Sequence, residues 1–244
     1  MSDETVIYGR NAVLEALRSG REIEKIYVEK PPYTGSMIPI INLAKKRRIL
    51  LSECDHRKLS ELSGGGVHQG VVASCAAVSY VEVEDILKRA EDKGEAPFLV
   101  VCESIQDPHN LGAILRSVDA FGFDMVILPK NRSVLVTEVA AHVSTGAIEY
   151  TKIVYVNSLN QAITTLKENG FWICGTDAMG TIRSSEIDPS LSLAVIIGSE
   201  GFGMSKTLVK QSDYLITIPM VGHVNSLNAS VSAGIVLHDL CLKK

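Results

Sequence analysis

Six short apolar runs recur after Pro97, and they constrain the fold more than any other feature of the sequence. Most of the intervals between them carry the periodicity of a helix. Continuous apolar strands that alternate with helices are typical of a parallel sheet covered on both faces. The runs are FLVVCES, MVILP, KIVYV, FWICGTDA, LAVIIGSE and YLITIPM. The sequence therefore predicts an α/β domain over residues 97–244 whose ligands bind beyond the carboxyl ends of the strands.

A smaller α/β pattern precedes this domain, over residues 1–78. Helices are predicted for NAVLEALRSG, SMIPIINLAKKRR and HRKLSELSGGG, and strands for IEKIYVEK and GVVASCAAV. Residues 79–96 are rich in charged side chains, which is typical of a linker that carries a short exposed helix. We expect two domains, 1–78 and 97–244, joined by this linker.

The composition excludes several classes of protein. With 46% hydrophobic and 21% charged residues, the chain has the balance of a soluble globular protein. Its apolar runs are too short to cross a bilayer, and the polar start MSDETV is not a signal peptide, so we expect a cytoplasmic protein without a membrane partner. Five widely spaced cysteines indicate reduced, buried thiols, and no clustered His/Cys spacing supports a metal.

A basic run interrupts the overall negative charge. The net charge of −4 argues against nonspecific binding of nucleic acid. The run could nevertheless contact phosphate groups, or it could be a solvated helix end whose cations complement the helix dipole. It consists of Lys45, Lys46, Arg47 and Arg48. The sequence leaves both interpretations open.

Polar and glycine-rich segments follow three of the predicted strands. In the first, residues 103–122, Asn110 can cap the next helix, and Arg116 lies six residues further on. An arginine near the start of a helix opposes the helix dipole, which favours a functional role over a surface ion pair.

The second segment, IIGSEGFGMS at residues 196–205, has three glycines that let a ligand lie against the main chain. It matches neither a P-loop nor a dinucleotide fingerprint. Glu200 disfavours a phosphate site, because a carboxylate repels phosphate, and it could instead complement the dipole of the next helix.

The third segment joins the strand YLITIPM to the helix ASVSAGIVLHDLC through His223, Asn225, Ser226 and Asn228. One Asn or Ser at this point can cap the helix. Neutral donors and acceptors of this kind suit a ribose, an amide or an amino acid moiety, and we expect His223 to have no catalytic part.

Together, DPHNLGAILRS (107–117), IIGSEGFGMS and IPMVGHVNSLNASVSAGI (218–235) resemble the three motifs of the SpoU/TrmH family of RNA ribose 2'-O-methyltransferases. The segments IYGRNAVLEAL and VHQGVVAS resemble the N-terminal RNA-binding domain of the bacterial 23S ribosomal RNA guanosine methyltransferases. The resemblance implies a C-terminal SPOUT domain with a parallel sheet and a deep trefoil knot, preceded by a small L30e-like α/β domain. It also implies a homodimer that uses S-adenosylmethionine.

The implied reaction is methyl transfer to a ribose 2'-hydroxyl, of a guanosine in 23S ribosomal RNA. The same reaction on transfer RNA, or a noncatalytic RNA-binding relative, remains an alternative. For the cofactor, the resemblance implies main-chain contacts of Gly198, Ile218 and Leu227 with its adenine and ribose, with Thr176 and Glu200 nearby.

The resemblance also assigns five catalytic residues, Asn110, Arg116, Glu200, Ser226 and Asn228. Ser226 and Asn228 place the substrate ribose, and Arg116 is the activating residue. A protonated guanidinium has no lone pair to accept a proton, so Arg116 is a poor base, and we expect it to bind a neighbouring phosphate and stabilise the developing alkoxide. Asn110 would orient that phosphate or Arg116. The family often has a basic residue where this chain has Phe202, and an acidic residue or serine in place of Asn225.

Overall fold

The computed structural model describes residues 5–75, 96–131, 133–134, 136–188 and 190–242. It divides into two compact units, one of Met1–Ser79 with Val136–Tyr150 and one of Tyr80–Leu135 with Thr151–Lys244. The predicted linker at 79–96 lies outside the described residues except for Ala96. The domain limits that we drew from the sequence stay a prediction.

The first unit is built on a four-stranded sheet in the order β1-β4-β2-β3, in which only β2 and β3 are parallel. Its elements are β1 (Thr5–Tyr8), α1 (Arg10–Ser19), β2 (Ile23–Glu29), α2 (Met37–Lys46), β3 (Leu50–Cys54), α3 (His56–Leu62) and β4 (Val71–Cys75). The predicted helices and the strands β2 and β4 are confirmed. The prediction missed β1 and β3, which form the two edges of the sheet.

Helix α5 (Glu138–Val143) and a 3-10 turn (Ala147–Glu149) complete the first unit. The His142 ring stacks on Tyr8 with 4.9 Å between the ring centroids, and Tyr150 donates a hydrogen bond of 2.7 Å to Glu15. Arg21 and Glu149 form a buried ion pair. Burial raises the pKa of Glu149, and the neighbouring Arg21 opposes that shift.

The basic run at residues 45–48 contains one structural arginine and three exposed cations. The guanidinium of Arg47 donates four hydrogen bonds to main-chain carbonyls at the end of α1, where helical carbonyls lack partners. The acceptors are Ala16 at 3.4 Å, Leu17 at 2.8 Å, Gly20 at 3.1 Å and Arg21 at 2.8 Å. Arg47 therefore holds α1 to α2, while Lys45, Lys46 and Arg48 are exposed.

We expect Arg47→Ala to lower the free energy of unfolding by about 1.5–3 kcal/mol, because it leaves several carbonyls without their charged donor. Lys46→Ala, a change of an exposed cation on the same helix, should stay within about 0.5 kcal/mol of the parent protein. Urea unfolding followed by circular dichroism measures both. Equal effects of the two substitutions would show that the Arg47 contacts are not stabilising.

The second unit contains a six-stranded parallel sheet in the order β10-β8-β9-β5-β6-β7. Its strands are β5 (Phe98–Cys102), β6 (Met125–Pro129), β7 (Lys152–Val156), β8 (Trp172–Thr176), β9 (Leu193–Ile197) and β10 (Tyr214–Ile216). All six predicted strands are confirmed, and β5 and β9 are buried at every residue. The last predicted strand ends four residues early, at Ile216.

Between these strands lie α4 (Pro108–Ala120), α6 (Leu159–Glu168) and α7 (Lys206–Gln211), and α8 (Ala229–Cys241) follows the last strand. The predicted helix ASVSAGIVLHDLC coincides with α8. Helix α8 packs against α4 and against a 3-10 turn at Ser184–Glu186, where Ser184 donates a hydrogen bond of 2.6 Å to Asp239. The deep trefoil knot stays a prediction.

Three of the five cysteines, Cys75, Cys102 and Cys174, are buried, and burial raises the pKa of each thiol to about 12. Cys54 and Cys241 are half-buried. All five are free thiols, as the sequence predicts. Among the residues that the structure describes, no helix is long and apolar enough to span a membrane.

Candidate active site

A cleft of about 390 Å³ lies beyond the carboxyl ends of β8, β9 and β10. This is the edge of the sheet at which the sequence predicts a ligand. The four residues predicted to hold a cofactor all line the cleft, together with the predicted catalytic residues Glu200 and Ser226. The four are Thr176, Gly198, Ile218 and Leu227.

Gly198 begins the turn that forms one wall of this cleft. A Cβ atom at position 198 would lie 2.5 Å from the carbonyl carbon of Gly203 and 2.7 Å from the nitrogen of Met204, so no other residue fits without a shift of the main chain. Two main-chain hydrogen bonds between Ser199 and Gly203, of 3.1 and 2.9 Å, close the turn. The wall is therefore main chain that a ligand can approach closely.

Three residues from the three predicted motifs form one hydrogen-bonded network. The Asn110 amide donates to the Glu200 carboxylate at 2.6 Å. The Asn228 amide donates to the same carboxylate and to Asn110 Oδ1, the latter at 3.0 Å. The network ties together the segments that follow β5, β9 and β10. Glu200 thus contacts two amides, whereas Ser205 caps the next helix.

Asn228 also caps α8. Its side-chain oxygen accepts hydrogen bonds from the main-chain nitrogens of Ser230 at 2.9 Å and Val231 at 3.3 Å. Helix starts leave such nitrogens without partners, so the oxygen satisfies two of them. This confirms the prediction that an Asn or Ser caps the helix, and it leaves the amide nitrogen for the network.

Two interpretations of the first motif are wrong. The cap of α4 is Asp107, whose carboxylate accepts a hydrogen bond of 2.9 Å from the His109 nitrogen, and Asn110 is a buried residue within the first turn. Arg116 is the ninth of thirteen helical residues, so it is not near the helix start and the dipole argument fails.

The Arg116 side chain does not join the network. It is exposed, and it makes no hydrogen bond or ion pair with any residue that the structure describes. The structure thus brings Asn110, Glu200 and Asn228 together beside a cleft that Ser226 lines, and it leaves the Arg116 guanidinium open to solvent.

The first unit contains a polar cleft of about 760 Å³ that was not predicted from the sequence. Its lining includes Glu29, His56 and His68, whose ligand atoms lie within 4.8 Å of one another. Three potential metal ligands this close raise the question of a bound ion. The only sequence signal was the segment VHQGVVAS, which contains His68.

Hydrogen bonding at His68 disfavours a metal at this cluster. Its Nδ1 accepts a hydrogen bond of 3.1 Å from the Gly70 nitrogen, so the neutral ring carries its proton on Nε2. That proton faces the Ser60 hydroxyl at 3.2 Å, and the hydroxyl in turn lies 3.3 Å from His56 Nδ1. Burial lowers the pKa of His68. A metal bound at Nε2 would have to displace this proton, whereas His68, Ser60 and His56 form a chain of hydrogen bonds. The absence of a metal stays a prediction.

Comparison with known proteins decides the family. A model of the SpoU rRNA Methylase family matches residues 97–238, and a model of an RNA 2'-O ribose methyltransferase substrate-binding domain matches residues 6–81. The chain belongs to the SpoU methylase family. As a member, it is an RNA methyltransferase with S-adenosylmethionine as its cofactor, and the predicted family, enzyme class and cofactor are confirmed.

The similarity to known proteins extends over nearly the whole chain. A Bacillus subtilis protein, provisionally named TrmH family tRNA/rRNA methyltransferase YacO, is 40% identical over 238 residues, which are 98% of this chain and 95% of that protein. The AdoMet complex of the SpoU methyltransferase AviRb from Streptomyces viridochromogenes has a TM-score of 0.82 at 22% identity, covering 98% of this chain and 90% of that one.

A further solved structure, the AdoMet-bound rRNA methyltransferase from Sinorhizobium meliloti, has a TM-score of 0.81 at 22% identity and covers 97% of this chain and 86% of that one. These likenesses confirm the predicted α/β SPOUT fold with its additional N-terminal domain.

We expect Gly198→Ala to weaken S-adenosylmethionine binding by about tenfold or more, because the methyl group would push the turn out of place, a distortion of about 1–3 kcal/mol. Gly222→Ala is the matched control, since a Cβ there meets nothing within 4 Å and Gly222 does not line the cleft. Titration calorimetry gives both affinities, and thermal melting shows whether the proteins remain folded. Unchanged affinity in Gly198→Ala would exclude a close approach of cofactor to this wall.

Proposed function

We propose that this protein transfers the methyl group of S-adenosylmethionine to a ribose 2'-hydroxyl of a guanosine in 23S ribosomal RNA. The observation that carries this proposal is the network of Asn110, Glu200 and Asn228, which joins three strand-end segments beside the 390 Å³ cleft. A site of this kind holds two reactants in a fixed geometry, which is the main requirement of a group transfer.

The charges of the cleft suit this cofactor. Among the residues that the structure describes, the charged side chains that line it are Asp177 and Glu200, and both are acidic. They would attract a sulfonium and an ammonium group, and they would repel the phosphates of a nucleotide cofactor. Gly198, Ile218 and Leu227 line the cleft and would offer main-chain groups to the adenine and ribose. Thr176 stands at the end of β8, where its hydroxyl donates a hydrogen bond of 2.8 Å to the Ile196 carbonyl.

The bound cofactor supplies a methyl group on a positively charged sulfur. The protein has to place the ribose hydroxyl against that methyl group and help to remove the hydroxyl proton. We assign the placing of the ribose to Ser226 and Asn228. Glu200 holds the two asparagine amides and fixes the position of Asn228.

Arg116 has a different role in this proposal. A protonated guanidinium has no lone pair to accept the hydroxyl proton, so it cannot act as the base. It can bind the phosphate next to the target ribose and stabilise the alkoxide as it develops, while the proton leaves to that phosphate or to water. The exposed guanidinium, with no partner among the described residues, supports this role. Asn110 acts indirectly, through Glu200 and Asn228.

Ribosomal RNA is the substrate that we favour. The family is described as rRNA methylases, and the match to the Sinorhizobium meliloti rRNA methyltransferase includes the N-terminal unit. Transfer RNA is the alternative, because the relatives are named tRNA/rRNA methyltransferases.

We also propose that the protein acts as a homodimer. On α8, Val231 and Ile235 are 49% and 36% exposed, and their spacing of four residues puts them on one face of the helix. Neighbouring exposed apolar side chains are typical of protein interfaces. We expect sedimentation equilibrium to give twice the chain mass, and Val231→Glu to shift it towards the chain mass. A monomer at all concentrations would contradict the homodimer.

The reaction is tested with purified protein, radiolabelled S-adenosylmethionine and, separately, unmodified large-subunit ribosomal RNA and transfer RNA. We expect label at a ribose of the ribosomal RNA and a loss of about 100-fold in kcat for Arg116→Ala, because a charge-stabilising donor is removed. Lys210→Ala, which removes an exposed cation at the end of α7, is the control and should keep full activity.

The other outcomes are equally specific. Label in transfer RNA alone would show that transfer RNA, and not ribosomal RNA, is the substrate. Cofactor binding without label in either RNA would support the noncatalytic alternative. Full activity of Arg116→Ala would remove Arg116 from the mechanism.

A further inference from the structure

A second cleft lies on the other side of the turn that forms the wall of the cofactor cleft. It has a volume of about 430 Å³ and is lined by Glu103, Ser104 and Gln106 together with residues 199–205. The five residues of the turn, 199–203, line both clefts. A strand of RNA that places its ribose in the cofactor cleft would therefore reach the second cleft by crossing this turn.

Phe202 occupies the turn with its side chain in solvent. It is 96% exposed, although a phenylalanine gains stability from burial. The turn beneath it is fixed by the two main-chain hydrogen bonds between Ser199 and Gly203 and by the contacts of Glu200 with Asn110 and Asn228. The turn thus presents the ring to solvent between the two clefts. Proteins recognise unpaired bases by stacking them on aromatic rings presented in this way.

The polar groups of the second cleft indicate a base and exclude a phosphate. Its charged lining side chains are Glu103 and Glu200, both carboxylates. One oxygen of Glu103 accepts a hydrogen bond of 2.8 Å from the Ser205 nitrogen, which fixes the carboxylate and leaves its other oxygen as an acceptor. Gln106 is exposed, and its amide makes no hydrogen bond with the described residues. Acceptors of this kind match the N–H groups on the edge of a nucleobase.

We propose that the second cleft holds one unpaired nucleobase of the RNA substrate, stacked on Phe202 with its N–H edge towards Glu103 and Gln106. This inference rests on the proposed function, because it needs an RNA strand at the cofactor cleft. Phe202 is then a binding residue for RNA, although the turn that carries it also lines the cofactor cleft.

Steady-state kinetics of Phe202→Ala test the proposal. Loss of one base stack should raise the KM for RNA by about tenfold, while the Kd for S-adenosylmethionine stays within about twofold. Phe202→Tyr should restore the KM. Trp172→Ala is the control, since it removes a half-exposed aromatic side chain at the opposite, amino end of a strand.

A fluorescence experiment detects the stack itself. Trp172 is the only tryptophan of the chain, so the double variant Phe202→Trp, Trp172→Phe has a single indole, at the turn. Titration with unmodified large-subunit ribosomal RNA, and separately with transfer RNA, should quench its emission. The parent protein, with its indole at position 172, should show no such quenching.

The proposal is overturned if Phe202→Ala leaves the KM for RNA unchanged, if it weakens cofactor binding as much as RNA binding, or if neither RNA quenches the indole. Quenching without methyl transfer by the parent protein would sustain the base site while the proposed function fails. Methyl transfer without quenching would support the proposed function and contradict the base site.

Discussion

The geometry of the active site depends on one carboxylate that accepts hydrogen bonds from two asparagine amides. Glu200 is exposed, but its partner Asn110 is buried in the first turn of α4 and is therefore held by the core. Asn228 completes the set from the other side. Charge-assisted hydrogen bonds are stronger than neutral ones, so these contacts can fix segments that would otherwise move independently. The cofactor cleft and the Phe202 turn both take their position from this contact.

Much of the fold could be predicted because its core has a simple pattern. Strands such as Phe98–Cys102 and Leu193–Ile197 are buried on both faces and read as continuous apolar runs. The two strands that escaped prediction lie at sheet edges, and Leu50–Cys54 has no fully buried residue. An edge strand needs no apolar run, so its pattern is weak. The position of the cleft followed from the ends of the strands. The family followed from the resemblance of the three segments there to known motifs.

The errors and omissions concern contacts between residues that are distant in the sequence. Asn110 was the predicted cap of α4, and only the structure shows that Asp107 caps the helix while Asn110 turns to Glu200, 90 residues away. The carbonyl contacts of Arg47, 26 to 31 residues back along the chain, are likewise invisible to a count of charges. The second cleft depends on the conformation of a turn, and the hydrophobic periodicity of a sequence does not predict turn conformations.

Asn228 meets two demands that few side chains satisfy together. Its oxygen must reach the first nitrogens of α8, and its nitrogen must donate to Glu200 and Asn110. Aspartate would cap the helix but would bring a second negative charge to Glu200; serine would cap it but has no amide to donate; glutamine has the amide on a longer stem. The aspartate product of spontaneous deamidation at Asn228 would thus keep the helix start while breaking the site. Ageing of the purified enzyme at this one amide would reduce activity in molecules that still appear fully folded.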